Sequence, residues 1–233
     1  MRDRKHKKLF RFDLGKTSYK EAWDLQKRLL EARQNGRIAD CLILTEHDPV
    51  ITMGRATSPA NLLCSRDQLR LRGVELYEIE RGGDITFHGP GQLVAYPIID
   101  LDGHGRDLHK YLRTLEQAVI DTLGDLDVKA EVKPGLTGVW ADDHKLAAIG
   151  VAVQRWITYH GLALNISTDL EYFKLINPCG ITRYPVGSIE SILKKKVEFG
   201  RVADLFIENF AASFYYEVEN MTLGALLLDM AEA

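Results

Sequence analysis

Hydrophobic positions along this chain follow two periods, and the segments of each period occur in groups. Apolar residues recur at helical spacing from Ser18 to about Gly36, over residues 108–123 and over residues 199–215. Ser18 and Glu21 fit a capping box at the start of the first of these helices. Two shorter helices are predicted over residues 170–176 and 224–231.

Short apolar or alternating runs between the helices predict strands. We expect them at residues 8–16, 40–47, 49–54, 74–81, 92–101, 137–142, 145–156 and 160–166. The first is expected at a sheet edge, and the last three are expected to be antiparallel, with a turn at 142–144. Because strands come in runs with helices grouped between them, the pattern predicts an α+β fold. With no repeat and no linker, we expect a single domain spanning residues 1–233.

Composition narrows the class of protein. The chain has 233 residues, of which 45% are hydrophobic and 27% charged, and its net charge of −3 gives no general attraction for nucleic acid. Its apolar runs fall short of the ~20 residues that span a bilayer. Three cysteines without CxxC spacing predict free thiols, a cytoplasmic location and no zinc site. We therefore expect neither a membrane nor a nucleic-acid partner.

One of the three cysteines stands in a sequence that suits a nucleophile. Cys179 lies in "INPCGIT", where a turn between proline and glycine would aim the side chain and leave main-chain N–H groups for an oxyanion. The same residues also fit a plain loop with a small apolar side chain. Cys41 lies in an apolar strand and is expected to be inert, and nothing reactive neighbours Cys64.

A thiol with an ordinary pKa of ~8.5 needs a neighbouring base or cation to react at neutral pH. His88, His144, Lys145 and His160 are the candidates. Lys145 begins an apolar strand after an acidic turn, which is also a common setting for an exposed lysine. His88 could line a site or simply bind a loop carbonyl.

The stretch "RGGDITFHGPGQLVAYP", residues 81–97, concentrates glycine and proline around polar side chains. Bends at Gly82–Gly83 and Gly89–Gly91 would fold "DITFH" over a pocket and allow a ligand close to the main chain. A pair of β-bulges in a sheet is the alternative. The spacing fits neither a P-loop nor a dinucleotide-binding motif.

This stretch resembles the signature of the lipoyl(octanoyl) transferases, and "TGVW", "KLAAIGVAV", "HGLALNI" and "PCGI" resemble the later blocks of that family in the same order. The resemblance runs from about residue 40 to residue 190. It implies the mixed sheet, flanking helices and smaller second sheet of the biotin and lipoate ligases. It also implies that Cys179 is the acylated nucleophile and Lys145 its acid/base partner.

The reaction implied is transfer of an octanoyl group from octanoyl-acyl carrier protein to a lysine of a lipoyl domain, without a cofactor or metal. The acceptors implied are the lipoyl domains of 2-oxoacid dehydrogenase E2 subunits and the glycine cleavage H protein. The substrate-binding residues expected from the resemblance and the local sequence are Arg81, Gly82, Gly83, Thr86, His88, Gly89, Gln92, Tyr96, Ala148, Ile149, Gly150, His160, Gly161, Asn165 and Gly180.

One residue departs from the family pattern. After the cysteine the family usually has a Val-Thr-Ser tripeptide, whereas this chain has Val186, Gly187 and Ser188. Two alternative functions remain open at this point. The first is an ATP-dependent lipoate ligase on the same fold, which needs no cysteine. The second is a non-catalytic binder of acyl carrier protein or lipoyl domains, although such a protein has no need for the cysteine and lysine.

Overall fold

The computed structural model describes residues 7–178, 184–222, 224 and 226, and ten strands lie in two sheets. The strands are β1 (Lys7–Thr17), β2 (Asp40–His47), β3 (Val50–Met53), β4 (Glu75–Glu78), β5 (Ile85–His88), β6 (Gln92–Ile98), β7 (Val139–Ala141), β8 (His144–Gln154), β9 (Ile157–Asn165) and β10 (Tyr216–Asn220). The helices are α1 (Tyr19–Gln34), α2 (Arg66–Leu71), α3 (Leu108–Gly124), α4 (Ile189–Leu193) and α5 (Phe199–Phe214).

The large sheet has seven strands in the order β10-β1-β2-β6-β9-β8-β7. Its first three strands pair in parallel, and the remaining pairs are antiparallel. The small sheet has the order β4-β3-β5, with β4 parallel and β5 antiparallel to β3. The predicted α+β fold, with a mixed sheet and a smaller second sheet, is confirmed.

Alternation along the central strands explains why the large sheet is covered on both faces. In β2, Leu42 and Leu44 join the core beneath α3 and α5, whereas Cys41 and Ile43 join the core beneath α1. Successive side chains of a strand point to opposite faces, so an unbroken apolar run needs a cover on each side. The helices supply those covers, and the chain folds as three layers.

The helix boundaries follow the capping residues. Ser18 accepts the N–H of Glu21, and the Glu21 carboxylate accepts the N–H of Ser18, so the predicted capping box is present. Asp107 caps α3 by accepting the N–H of Lys110 at 2.9 Å. Helix α5 begins and ends as its apolar periodicity predicts. The helix predicted over residues 224–231 lies mostly outside the described residues and stays a prediction.

The strand predictions missed β5 and β10, and two details of the large sheet were also wrong. β1 is not an edge strand, because β10 pairs with it in parallel through residues that we had not assigned to any strand. The strand predicted over residues 145–156 ends at Gln154, since Arg155 and Trp156 form the turn of a hairpin with φ values of 50° and 63°. Such a turn usually carries Asn or Gly, so this sequence gave no signal for it.

No helix in the described part of the chain combines the length and the apolar character that crossing a membrane requires.

We expect Tyr216→Phe to lower the free energy of unfolding by roughly 1–3 kcal/mol, the range for a buried polar group that loses a partner. Asp40 is 4% exposed, and its carboxylate accepts hydrogen bonds from the Tyr216 hydroxyl at 2.6 Å, the Arg33 guanidinium and the Asp100 N–H. Urea denaturation measures the difference. Tyr215→Phe, at a half-exposed neighbour, is the control, and equal effects of the two changes would contradict the role of the Asp40 contact.

Candidate active site

A narrow cleft of about 50 Å³ lies where the small sheet meets β6, β8 and β9 of the large sheet. A second, smaller cavity of about 20 Å³ shares Thr86, Lys145, Ala148 and Ala163 with this cleft, so the two lie side by side. The structure therefore brings together residues that lie far apart in the sequence. The expected site residues that line one or both cavities are Arg81, Gly83, Thr86, His88, Gln92, Tyr96, Lys145, Ala148, Ile149, Gly150, His160, Gly161 and Asn165.

Gly82 and Gly89 line neither cavity but shape the neighbouring main chain. Gly82 donates its N–H to the carbonyl of Val151 at 2.8 Å, which attaches its loop to β8. A Cβ on Gly89 would lie 2.4 Å from the Phe87 ring, so only glycine fits there. Cys179 and Gly180 lie outside the described residues, and their roles stay proposals.

The Arg81 side chain fixes the loop that closes one wall of the cleft. Its guanidinium donates to the carbonyl of Thr52 at 2.8 Å, to the hydroxyl of Thr52 at 3.0 Å and to the carbonyl of Gly82 at 3.0 Å. Gly83 follows with a φ of 80°, which glycine adopts without strain. Arg81 therefore holds β3 and the loop together as well as lining the cleft.

A chain of hydrogen bonds between side chains crosses the floor of the site. His88 Nδ1 lies 2.8 Å from Gln92 Oε1, and Gln92 Nε2 donates to Asn165 Oδ1 at 2.8 Å and to the carbonyl of Phe87 at 3.2 Å. Asn165 Nδ2 then donates to the carbonyl of Gly187 at 2.9 Å. The chain joins β5 to the segment that follows the predicted nucleophile.

This series of hydrogen bonds determines which nitrogen of His88 carries the proton. The carbonyl of Gly187 can only accept, so the amide nitrogen of Asn165 faces it and Asn165 Oδ1 faces Gln92. The carbonyl of Phe87 fixes the Gln92 amide in the same way, which leaves Gln92 Oε1 facing His88. Nδ1 of His88 is therefore protonated, and Nε2 of the neutral ring is a hydrogen-bond acceptor.

Burial keeps two neighbouring histidines neutral. Burial lowers the pKa of His88 to about 3 and the pKa of His47 to about 4. His47 Nε2 lies 2.8 Å from the hydroxyl of Tyr96, and Tyr19 stacks on the ring of His88 with centroids 6.1 Å apart. The rings of His47, His88, Tyr19 and Tyr96 therefore pack together as one wall, and each ring also carries a polar group.

His160 reaches the cleft because β9 is irregular beside Pro97. Proline has no N–H for the ladder, and proline within a sheet occurs at edges or bulges. His160 adopts a φ of 55°, and a Cβ on Gly161 would lie 2.1 Å from the carbonyl oxygen of Ala95. Burial lowers the pKa of His160. Its Nε2 lies 3.5 Å from the Glu80 carboxylate, a contact at the outer limit of hydrogen-bond distance that opposes part of this fall in pKa.

Lys145 lies at the junction of the two cavities and is 8% exposed. Its N–H donates to the carbonyl of Pro185 at 2.8 Å, and its own carbonyl accepts the N–H of Gly187 at 3.0 Å. Its Nζ lies 5.2 Å from the centroid of the Trp140 ring, a cation–π distance. The segment that follows Cys179 in the chain is therefore attached to the strand that carries Lys145.

Pro178, which directly precedes Cys179, lines the second cavity together with Lys145. Leu63 donates its N–H to the carbonyl of Leu175, and Asn177 donates its N–H to the carbonyl of Asn61. The segment that precedes Cys179 is therefore also fixed, and it enters the site beside Lys145.

The other two cysteines lie in ordinary surroundings. Cys41 is fully buried in β2, and burial raises the pKa of its thiol, so the expectation of an inert core residue is confirmed. Cys64 donates a weak hydrogen bond to the carbonyl of Leu175, and burial also raises the pKa of its thiol. In the described part of the chain, no group of three His, Cys, Asp or Glu side chains could hold a metal ion.

The sequence did not reveal several residues of the site. Tyr19 was expected only as a core residue of α1, and His47 ends an apolar strand with no motif around it. Glu116 was not singled out either, although it is a fully buried carboxylate near Lys145. A polar residue at an apolar position of a predicted helix or strand is the one signal that could have identified Glu116 and His47.

Comparison with known proteins agrees with this geometry. The family described as the lipoyl protein ligase A/B catalytic domain matches residues 18–211. An octanoyltransferase of Solibacter usitatus is 48% identical over 205 residues, which cover 88% of this chain and 92% of that protein. An octanoyltransferase of Gloeobacter violaceus is 49% identical over 214 residues, covering 91% and 93%. The chain belongs to the lipoyl(octanoyl) transferase family.

Solved structures with low sequence identity share the fold of this family member. A lipoate-protein ligase A bound with ATP superposes with a TM-score of 0.74 at 17% identity, covering 97% of this chain and 93% of the other. A biotin protein ligase from Aquifex aeolicus gives a TM-score of 0.51 at 11% identity, covering 88% and 68%. The ligase-like fold implied by the sequence resemblance is confirmed.

We expect His88 to remain neutral, with its proton on Nδ1, between pH 8 and pH 5. Its pKa of about 3 lies below that range, and the Gln92 amide fixes the tautomer. Long-range ¹H–¹⁵N correlation spectra of the histidine rings measure both properties, with free histidine in the same buffer as reference. A proton on Nε2, or titration near pH 6.5, would contradict the hydrogen-bond chain.

The same shifts predict how stability depends on pH. The unfolded chain protonates His47 and His88 near pH 6.5, whereas the folded protein protonates them only near pH 4 and pH 3. Their contribution to stability is therefore present above pH 6.5 and is lost as pH falls, by up to about 1.4 kcal/mol per pH unit for each histidine. Urea unfolding at pH 7, 6 and 5 measures the slope. A His47→Gln variant should show a shallower slope, and an unchanged slope would contradict the assignment.

Proposed function

We propose that this protein transfers an octanoyl group from octanoyl-acyl carrier protein to the lysine of a lipoyl domain, through a thioester on Cys179. One observation carries the proposal: Lys145 and Pro178, the residue before Cys179, line the same cavity at the end of the cleft. The segment after Cys179 pairs with Lys145 through its main chain. Membership of an acyltransferase family supports the same reaction class.

In the first step Lys145 accepts the proton of the Cys179 thiol. Burial lowers the pKa of a lysine and raises the pKa of a thiol. A lysine and a thiol that form a pair are the exception, because their charged forms stabilise each other. The thiolate then attacks the carbonyl carbon of the octanoyl thioester. The bond to the pantetheine sulfur breaks, and that sulfur takes the proton from the Lys145 ammonium.

Fixed N–H donors must meet the oxyanion formed during this attack. Gly82 in the neighbouring loop cannot serve, because its N–H is already bonded to the carbonyl of Val151. We therefore assign the role to Gly180 and Gly83. Gly83 lines the cleft, and Gly180 follows the nucleophile in the sequence.

In the second step the lysine amine of a lipoyl domain attacks the acyl-enzyme. Lys145 takes the proton of the attacking amine and gives it to the departing Cys179 sulfur, so an amide forms and the thiol is restored. Exchange of a thioester for an amide runs downhill and needs no ATP. The acyl chain is drawn into the cleft by about 0.8 kcal/mol for each CH₂ group buried.

An ATP-dependent ligase is the competing function, since the fold is shared with a lipoate-protein ligase A bound with ATP. That likeness rests on 17% identity and supports the fold alone. Relatives at 39–49% identity are named octanoyltransferases, which favours the transferase.

We also propose where the carrier protein docks. The main chain of residues 61–63 pairs with residues 175–177, so α2 begins next to the chain that leads to Cys179. Arg70 on this helix is largely exposed, and Leu71 is 89% exposed. Arg70 lies 3.5 Å from Asp67, and Arg66 lies 3.4 Å from Glu78, so α2 carries paired charges beside the exposed Leu71. We infer that its arginines and this apolar side chain contact an acidic partner such as an acyl carrier protein. The exposed lysines at 194–196 are a second candidate contact.

Incubation with octanoyl-acyl carrier protein should add one octanoyl group to the protein, and Cys179→Ala should abolish the adduct. Intact-mass spectrometry detects the adduct, and hydroxylamine removes it if it is a thioester. Cys64→Ala should retain the adduct and is the matched control. An adduct on Cys179→Ala would exclude Cys179 as the nucleophile.

The same assay separates the transferase from the ligase. Transfer to a lipoyl domain should proceed from the carrier protein without ATP. Transfer that requires free octanoate and ATP would establish the ligase instead.

Charge reversal should separate docking from chemistry. Arg70→Glu and Lys195→Glu should each raise the KM for the carrier protein several-fold, while kcat stays near that of the unchanged protein. Charges at the rim of an interface act mainly on the rate at which the two proteins associate. Lys110→Glu, at an exposed lysine of α3, is the control and should leave the KM unchanged. Equal KM values for all three variants would place the docking surface elsewhere.

A further inference from the structure

Glu116 is an unusual residue for the buried face of α3. It is fully buried, and among the described residues Asp40 is the only other buried carboxylate. Removing a charge from water is unfavourable unless hydrogen bonds or opposite charges compensate. One oxygen accepts the N–H of Gly138 at 3.0 Å, and the other accepts from the guanidinium of Arg113. Both oxygens act as acceptors, which is the arrangement of an ionised carboxylate.

The Gly138 contact connects Glu116 to Lys145. A Cβ on Gly138 would lie 2.7 Å from Lys145 Cε, 2.6 Å from the carbonyl oxygen of Ala147 and 3.2 Å from the Trp140 ring. The main chain of Gly138 therefore forms the wall against which the Lys145 side chain packs. Glu116 holds this main chain in place by accepting the Gly138 N–H, and the Trp140 ring lies at cation–π distance from the Lys145 ammonium group.

Glu116 and Lys145 also interact through their charges. Burial raises the pKa of Glu116, while the N–H of Gly138, the Arg113 guanidinium and the Lys145 ammonium all oppose that rise. An interaction between two charges is mutual, so the Glu116 carboxylate attracts the Lys145 ammonium in turn. The other ionisable side chains that line the cleft around Lys145 are Tyr19, Arg81, Asp84, His88, Tyr96 and His160.

We propose that Glu116 is a positioning residue that makes Cys179 a thiolate by holding Lys145 in place and in its ammonium form. This inference rests on the proposed function, because it requires Lys145 and Cys179 to form a pair. With Glu116 ionised, the thiol proton rests on Lys145 Nζ before the donor arrives. The same proton then leaves with the pantetheine sulfur, so each step is balanced.

The pH dependence of Cys179 alkylation by iodoacetamide tests the proposal, because only the thiolate reacts. Peptide mass spectrometry resolves Cys179 from Cys41 and Cys64. Glu116→Gln keeps an oxygen to accept the Gly138 N–H but removes the charge. We expect it to raise the midpoint of the alkylation profile by about one pH unit, which is a tenfold lower rate below the midpoint. Lys145→Met should raise the midpoint at least as far.

Two control variants distinguish charge from structure. Arg113→Met removes one of the groups that keep Glu116 ionised but leaves the carboxyl group and its bond to Gly138 in place, so it should raise the midpoint less than Glu116→Gln does. Asp84→Asn removes a carboxylate from the opposite wall of the cleft and should shift the midpoint less than Glu116→Gln does. A larger shift with either control would overturn the assignment to Glu116.

The outcomes separate this inference from the proposed function. A normal midpoint in Glu116→Gln with a raised midpoint in Lys145→Met would overturn the role of Glu116 and leave the Cys179–Lys145 pair intact. A normal midpoint in both variants would overturn the pair itself.

A reciprocal measurement avoids any change at Glu116, in case Glu116→Gln fails to fold. The ¹³C resonance of the Glu116 carboxyl should titrate at a higher pH in Lys145→Met than in the unchanged protein, because coupling between two sites acts equally in both directions. Identical titrations in the two proteins would show that the two groups do not interact.

Discussion

The arrangement of the site depends on main-chain pairing between β8 and the segment from Pro185 to Gly187. Two hydrogen bonds of 2.8 and 3.0 Å join this segment to Lys145. On the other side of Cys179, residues 175–177 pair with residues 61–63. Main-chain bonds therefore hold both segments that flank residues 179–183, and one of these segments is attached to the strand that carries Lys145.

Polar groups on the floor of the cleft extend this rigidity. The carbonyls of Phe87 and Gly187 can only accept, so the side-chain amides of Gln92 and Asn165 each have one allowed orientation. A fully satisfied buried network specifies a single arrangement, whereas a partly satisfied one is destabilising. Burial also keeps His88 neutral, so this histidine contributes shape and a hydrogen-bond acceptor to the cleft.

The sequence predicted the secondary structure well where one physical signal dominated. The capping box of Ser18 and Glu21 and the periodicity of α5 placed those helices correctly. β10 was missed because "YEVEN" is short and half polar, and only its parallel pairing with β1 makes it a strand. The hairpin turn at Arg155 and Trp156 was missed because neither residue favours the positive φ that the turn requires. In both cases tertiary contacts decided the structure.

The residues of the site also differ in whether a local sequence pattern reveals them. Glycine-rich segments and a lysine beside an acidic turn are visible in the sequence, and the structure brings them to one cleft. Glu116, His47 and Gly138 act through contacts with residues that lie distant in the chain, so no local pattern reveals them. Their importance becomes apparent only when burial and hydrogen bonding are known. The resemblance to a family named residues that line one cleft, but it did not explain how Lys145 is held there.

The glycine that departs from the family pattern shows which part of this segment matters. A Cβ on Gly187 would lie 2.7 Å from Cβ of His144 and 3.0 Å from Cδ2 of Leu146, so space requires glycine in this chain. Its N–H donates to the carbonyl of Lys145, and its carbonyl accepts from the side-chain amide of Asn165. Both main-chain polar groups of Gly187 therefore make hydrogen bonds although the residue has no side chain. A hydroxyl at this position is therefore dispensable for holding the segment. The main chain of Gly187 alone makes the connection between the hydrogen-bond chain and the lysine, so the segment is held without any side chain at this position.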